Sequence, residues 1–418
     1  MNLTSVTCLL LTLIPVYTAQ VMSLPFSPAK TVPRQHKNLG KRLEPHRHFR
    51  ERFQRPMQPL SKSYRRPIRD FRVKATTAKD IKLENYYNNL YYAPITIGTP
   101  GQKFNVAFDI ENPITWVPSI HSPSRQDRRI SKKYNNESSS SFTANGKAFE
   151  LSYPSGKVSG YFSQDNIAIA GATIHNQTFG EAILEPDMFS VSMNDGIFGL
   201  GFSDIAAGEE PTVLDNMVNK GILPAPVFSF YLNTYESHGP DSVLTLGGTN
   251  PEYYTGDFTF VQLSMPDRWQ FEIDRIQMSR GVGTTCWYGC QAVVDPGSPF
   301  IAGPSYFVQV LNERIGAKPL EGNPKFYSVD HSQLDSLPDL ELYVNGQKLT
   351  MTGKDYIVKF PEEQGGPYYS GLVGKDFKRD ETAVWSLGTN FMRTYYTYFD
   401  KGNRRMGFAK TFSSLYRY

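Results

Sequence analysis

From about residue 82 onward, apolar and polar positions alternate in short runs that break at Gly, Pro, Asn and Ser. The runs "YYAPITIG" (91–98), "KFNVAF" (103–108), "SVLTLGG" (242–248) and "QAVVD" (291–295) are examples. Successive side chains of a strand point to opposite faces, so such runs predict short strands joined by tight turns. Helical spacing is sparse. The two best candidates, "EEPTVLDNMVNKG" (209–221) and "GPSYFVQVLNERIG" (303–316), each close on a glycine, a residue suited to helix ends. The fold class that follows is all-β.

Two stretches of this region repeat one another. "NVAFDIENP" and "QAVVDPGSP" each carry an Asp after apolar residues and a Pro four positions later, and Asp109 and Asp295 lie 186 positions apart. Gly199 in "GIFGLG" follows Asp109 by 90 residues, and Gly388 in "WSLG" follows Asp295 by 93. A single strand-end Asp is most often a turn former, because its carboxylate bonds local backbone N–H groups. Two at matched positions of a duplicated lobe favour a symmetric pair across the lobe interface. Facing carboxylates cannot both ionise cheaply, so they share a proton and titrate as a unit. The ionised member then activates water while the protonated one polarises a carbonyl.

Composition sets bounds on this picture. With 39% hydrophobic and 13% aromatic residues among 418, the chain is globular, neither disordered nor fibrous. The apolar stretch from Val6 to Tyr17 has the length of a signal-peptide core, so residues 1–19 are read as a signal peptide and no membrane anchor is expected. Residues 20–80 hold sixteen Lys or Arg against Glu44, Glu51, Asp70 and Asp80, a net +12, and residues 81–418 carry −8 of the overall +4. A basic leader that covers an acidic body until it is cut away fits export better than a nucleic-acid or membrane-surface role. Cys8 falls in the signal, which leaves Cys286 and Cys290 of "CWYGC", read as a small disulfide loop of an oxidising compartment. The scattered histidines give no metal-ligand spacing. Asn136 and Asn176 head glycosylation sequons, and the charged run 124–141 reads as a solvated loop.

The ordered motifs resemble the pepsin-like aspartic peptidases. "LENYYNNLYYAPITIGTPGQKFNVAFD" is similar to the start of the mature enzymes, and "WVP" (116–118), "LSYPSGKVSGYFSQDNIAIAG" (151–171) and "NDGIFGLGF" (194–202) follow in the family's order. "SVLTLGGTNPEYYTGDFTFV", "CWYGCQAVVDPGSPFIAGP" and "WSLGTNFMRTYYTYFD" resemble the passage between lobes, the second active-site loop and the closing strands. The resemblance implies a bilobal fold with an N-terminal lobe over 81–254, a C-terminal lobe over 255–418 and a central cleft. It implies catalytic roles for Asp109 and Asp295, a flap role for Tyr153 with Trp116 as its structural neighbour, and a disulfide between Cys286 and Cys290. It also implies an inhibitory prosegment over 20–80, a peptide or protein bound in the cleft, a monomer, no cofactor, and a secreted or endolysosomal location.

The departures are concentrated at the site. The family writes both loops as Asp-Thr-Gly followed by Ser or Thr, whereas this chain has Asp109-Ile110-Glu111-Asn112 and Asp295-Pro296-Gly297-Ser298. Ile110 and Pro296 lack the hydroxyls with which the family's threonines bind the opposite loop. Glu111 brings bulk and a further charge beside the pair, so it either turns away with a backbone shift or enters the cleft and raises the pair's proton affinity. Pro154 follows the flap tyrosine and removes an N–H. Asn112 is able to bond Asp109 in place of the first serine, and the second loop keeps more of the family pattern. Two readings stay open: an aspartic endopeptidase with weak or lost proteolysis, and a non-catalytic binding protein on the same scaffold.

Overall fold

The computed structural model describes residues 78–412 apart from 124–131, 154, 191, 204–209, 236–238, 280–282, 322, 360–367 and 377–382. The expected signal, nearly all of the expected leader, Pro154 and part of the charged run therefore lie outside the described residues.

The alternating runs form strands where the pattern places them. Leu90–Ile97, Gln102–Asp109, Ser242–Leu246 and Cys290–Val294 correspond to the four runs above. The two helical candidates fold as Val213–Asn219 and Ser305–Arg314. The first begins at Thr212, whose side chain accepts a hydrogen bond from the Asp215 N–H, which satisfies one of the unpaired donors of a helix start.

An antiparallel platform joins both halves of the chain. Its strands run in the order Tyr254–Gln262, Arg405–Thr411, Tyr395–Asp400, Val227–Tyr231, Ser242–Leu246 and Lys79–Tyr86. Three of these end before residue 247 and three begin at residue 254 or later. The expected lobe boundary at 254/255 falls at the first residues of one platform strand.

Each half then builds the same sheet. In the first, Gln102–Asp109 pairs antiparallel with Leu90–Ile97 and parallel with Gly196–Gly199. Trp116–Pro118 meets that last strand antiparallel and Ala172–Leu184 parallel. In the second, Cys290–Val294 pairs antiparallel with Gln270–Ile273 and parallel with Val384–Leu387. Ile301–Pro304 meets Val384–Leu387 antiparallel and Leu372–Lys375 parallel. Strand for strand and sense for sense the two match, so the duplication read from two aspartates extends to the topology.

The matched glycines explain themselves here. A Cβ on Gly199 would lie 2.4 Å from the Pro113 carbonyl carbon, and one on Gly388 would lie 2.2 Å from the Ser298 carbonyl oxygen. Each glycine therefore lets its strand pass directly against the active loop of its own half. Trp116, on the strand next to Gly196–Gly199, and Trp385, on Val384–Leu387 itself, are both fully buried. Burial of side chains of this size contributes roughly 1.5–3 kcal/mol or more each, enough to hold the strand ends, and with them both aspartates, in place.

Candidate active site

Asp109 ends its strand opposite Gly199, and its backbone carbonyl accepts from Leu200 N–H at 2.7 Å. Asp295 follows its strand directly, and its N–H donates to the Leu387 carbonyl at 2.9 Å. Both carboxylates thus stand at the C-terminal end of a buried strand, each beside its own passing strand.

The loops brace the carboxylates alike at one point. The Glu111 N–H donates to Asp109 Oδ1 at 2.8 Å, and the Gly297 N–H donates to Asp295 Oδ1 at 2.8 Å. Beyond that the halves differ. Asp109 Oδ1 also accepts from the Asn112 N–H at 3.1 Å, and Asp109 Oδ2 accepts from Asn112 Nδ2 at 2.7 Å. Ser298 does not do the same for Asp295; its Oγ instead accepts from the Phe300 N–H at 3.4 Å. Asn112 does take the role expected of it. Ile110 is buried in the main apolar core and Pro296 is buried as well, so the positions that lost their hydroxyls are filled by packing.

The electrostatics follow from burial and from these donors. Burial pushes Asp109 up from the ordinary aspartate range, and the donors from Asn112 and Glu111 pull it back. Burial also pushes Asp295 up, to about 6, with the charge of Asp109 adding to the rise. The charge of Asp109 acting on Asp295 brings the two sequence-predicted aspartates within electrostatic reach of each other.

Glu111 feels the charge of both aspartates, yet it is not among the main causes of the rise of either of them, so the expected increase in the pair's proton affinity is not what stands out. Its N–H keeps the same bond length to the aspartate as its counterpart Gly297. The residue is exposed to solvent in part, and loss of water around its carboxyl is the largest cause that pushes it up to about 8. Asp295 and Asp109 add to the rise, and Lys375 and Arg268 oppose it. Neither cation was singled out in the sequence: Lys375 ends the strand Leu372–Lys375 and Arg268 precedes the buried Trp269. They reach the site only through the tertiary fold.

The flap tyrosine is held by an aromatic cage. Tyr153 ends the strand Thr143–Tyr153, opposite Gly156 of the returning strand Gly156–Ile169. Its hydroxyl accepts from Trp116 Nε1 at 3.0 Å. Its ring packs edge-on against Phe189 at 5.4 Å, and Phe189 lies edge-on to Trp116 at 5.0 Å, a geometry favoured by the ring quadrupoles. Burial, and then the charge of Asp109, push the phenol well above its ordinary range, which keeps it a neutral donor and acceptor beside the dyad. Phe189 had no signal in the sequence, since it lies in a short 3-10 turn, Asp187–Ser190, with no regular period.

Paired strand-end carboxylates on a duplicated all-β scaffold, capped by a caged flap tyrosine, invite comparison with known proteins. The family described as eukaryotic aspartyl protease matches residues 90–411. The chain belongs to that family. Cathepsin D of Chionodraco hamatus is 40% identical to this aspartyl protease homologue over 332 residues, which cover 78% of this chain and 83% of the relative. Renin of Canis lupus familiaris is 37% identical over 331 residues, covering 79% and 81% of the two chains. Napsin-A of Mus musculus is 36% identical over 332 residues, covering 78% of each.

The remaining candidates lie away from the cleft. Cys286 and Cys290 form a disulfide with a sulfur–sulfur distance of 2.07 Å. The loop that it closes displays Trp287 and Tyr288 to solvent. Asn136 starts the 3-10 turn Asn136–Ser138 and is half-buried, and Asn176 is exposed on the strand Ala172–Leu184, although Gln177 and Thr178 of its sequon are buried. No helix among the described residues is long and apolar enough to cross a membrane.

Proposed function

We propose that this member of the family is a slow aspartic endopeptidase of the secretory route, which binds an extended peptide across its cleft and hydrolyses it with Asp109 and Asp295. The observation that carries the reading is the bracing of both carboxylates by the backbone N–H two residues on, at 2.8 Å in each loop. Asp109, with three donors, is suited to be the ionised member that takes a proton from water. Asp295, with fewer donors and its pKa pushed up to about 6, is suited to hold the shared proton and polarise the scissile carbonyl. Tyr153 closes over both from the flap. Residues 1–19 act as the export signal and 20–80 as the covering leader in this reading, and no cofactor takes part.

A second reading, a peptide-binding protein without turnover, is favoured by one observation: Glu111, two residues after Asp109, carries a third carboxyl that feels the charge of both aspartates. Misplacement of reacting groups by about 1 Å costs on the order of 100-fold in rate. The two readings separate on digestion of a denatured protein between about pH 3 and 7 by the chain freed of residues 20–80, with products read by mass spectrometry. New peptides from the parent and none from Asp295→Ala support the endopeptidase; identical digests from both leave only the binding protein.

A further inference from the structure

The two halves also differ on the strands that pass their active loops. Ile197 lies two residues before Gly199 and pairs with Ala107, and Ser386 lies two residues before Gly388 and pairs with Val293. Ala107 and Val293 each stand two residues before the aspartate of their half. Residues two apart on a strand share a face, and residues paired across neighbouring strands point to the same side of the sheet. The Asp295 N–H donates to the Leu387 carbonyl at 2.9 Å, so the ladder carries through to the aspartate. The Ser386 side chain therefore stands on the face that carries the Asp295 carboxyl. In the first half this place is apolar, with Ile197 in a buried cluster that includes Ala107 and Trp116. In the second half it holds a hydroxyl.

That hydroxyl is 5% exposed as a residue, and its Oγ makes no hydrogen bond of ordinary length and angle among the described residues. Its lateral partners in the sheet, Val293 and Ala302, bring no side-chain acceptor. A buried hydroxyl is costly to leave unpaired, and the carboxyl on its own face is an acceptor. Asp295 in turn receives one hydrogen bond from its own loop, at Oδ1. Burial and the charge of Asp109 push its carboxyl up, and the Gly297 N–H, Lys375 and Ser386 pull it down. Glu111, from the first loop, is the other charged group that feels Asp295. Catalytic hydrogen bonds of an empty site are often long or poorly aligned and tighten in the reacting complex.

We propose that Ser386 is a positioning residue of the dyad: its hydroxyl turns to the Asp295 carboxyl and donates to it when Asp295 gives up its proton. This rests on the endopeptidase reading above and deepens it. In the addition step water puts its oxygen on the scissile carbonyl carbon and a proton on Asp109. Asp295 passes its own proton to the carbonyl oxygen and is left ionised. A hydroxyl accepts from the neutral acid and donates to the carboxylate, so one rotor serves both states. Ile197 can do neither, and Asp109 has Asn112 instead. Each aspartate thus has a side-chain donor for its ionised state, one from its loop and one from the passing strand.

The test compares the secreted chain, its leader removed, with Ser386→Ala, Ser386→Ile and Ser386→Thr on one cleaved peptide from about pH 3 to 8. Ser386→Ala and Ser386→Ile are expected to lose about tenfold in kcat with little change in KM, the size of one hydrogen bond to a charge. Without the hydroxyl the Asp295 carboxyl rises. The alkaline decline of kcat/KM, which follows the loss of its proton, is therefore expected to move up by about one pH unit. Ser386→Thr keeps the hydroxyl and is expected to keep the parent's decline. A loss shared by all three variants with an unmoved decline would reduce Ser386 to packing and overturn the role, as would a parent-like rate and profile in Ser386→Ala. A readout without substrate keeps the two readings apart: the NMR titration of the Asp295 carboxyl carbon, assigned with Asp295→Asn. Its midpoint is expected to lie higher in Ser386→Ala than in the parent, and equal midpoints would overturn the inference. No cleavage by the parent would overturn the endopeptidase reading alone, and the titration would still decide Ser386.

Discussion

The first active loop has lost the family's Thr, Gly and Ser, yet its aspartate is the better braced; the second keeps Gly297 and Ser298, yet its aspartate has a single donor from its own loop. Asp109 accepts from Glu111 N–H, Asn112 N–H and Asn112 Nδ2, while Asp295 accepts from Gly297 N–H. Residue identity and hydrogen-bond geometry are separate properties of a loop. A backbone N–H serves as well from a glutamate as from a glycine when the position needs no positive φ, and neither Glu111 nor Gly297 has one. What the substitution changes is the side chain's destination.

The comparison breaks most sharply if the halves contribute unequally. Asp109→Ala and Asp295→Ala are each expected to lower kcat/KM by roughly 10²–10⁴-fold, since the pair acts as a unit. A large loss from one and a small loss from the other, measured on the same peptide, would mean that the loops are not partners.

Restoring the family's residues is next in size. The triple variant Ile110→Thr, Glu111→Gly, Pro296→Thr is expected to raise kcat by up to about 100-fold, the cost of a small misplacement at the reacting atoms. An unchanged kcat in stopped-time assays would mean that the loop substitutions do not limit turnover.

Asn112→Ala addresses the bracing itself. The side chain's bond to Asp109 Oδ2 at 2.7 Å involves a charged acceptor, and such bonds contribute about 1.5–3 kcal/mol. A drop in rate of about tenfold or more is expected. Because the lost donor favoured the carboxylate, the acid side of the pH–rate profile is expected to move to higher pH. A profile that keeps its acid side would show that Asn112 only packs there.

Stability gives the gentlest test of the contrast between Glu111 and Gly297. A carboxyl raised in the folded state favours folding while it is protonated. That contribution is complete below its ordinary value near 4.5 and fades as pH rises through about 8 for Glu111. Asp295 behaves in the same way between its ordinary 3.8 and about 6. The melting temperature of the parent is therefore expected to fall from pH 5 to pH 9, and to fall less in Glu111→Gln. Parallel curves for the two proteins would place Glu111 in water with an ordinary titration.

Most of the scaffold was legible in the sequence because a strand's period of two survives any amount of surface change. The repeat was legible too, since Asp109 with Gly199 and Asp295 with Gly388 are fixed by backbone contacts that only glycine permits. Asn112 was legible as a replacement donor because it stands where the resemblance places the first loop's serine. The direction of Glu111 was not, because it depends on whether the N–H bond to Asp109 survives. Phe189, Lys375 and Arg268 gave no local signal; they meet the site across distances in the chain that no short pattern spans. Keeping Ser298 was also misleading, for its hydroxyl turns to the Phe300 N–H.

The central claim is that the two halves, unlike in sequence, still hold one working pair of carboxylates. The pH dependence of kcat/KM for a single cleaved peptide, from pH 3 to 8, tests it directly. Cleavage is expected to decline as pH rises through about 6, where Asp295 loses the shared proton. A rate that stays level from pH 5 to 8, or that is absent throughout, would contradict it.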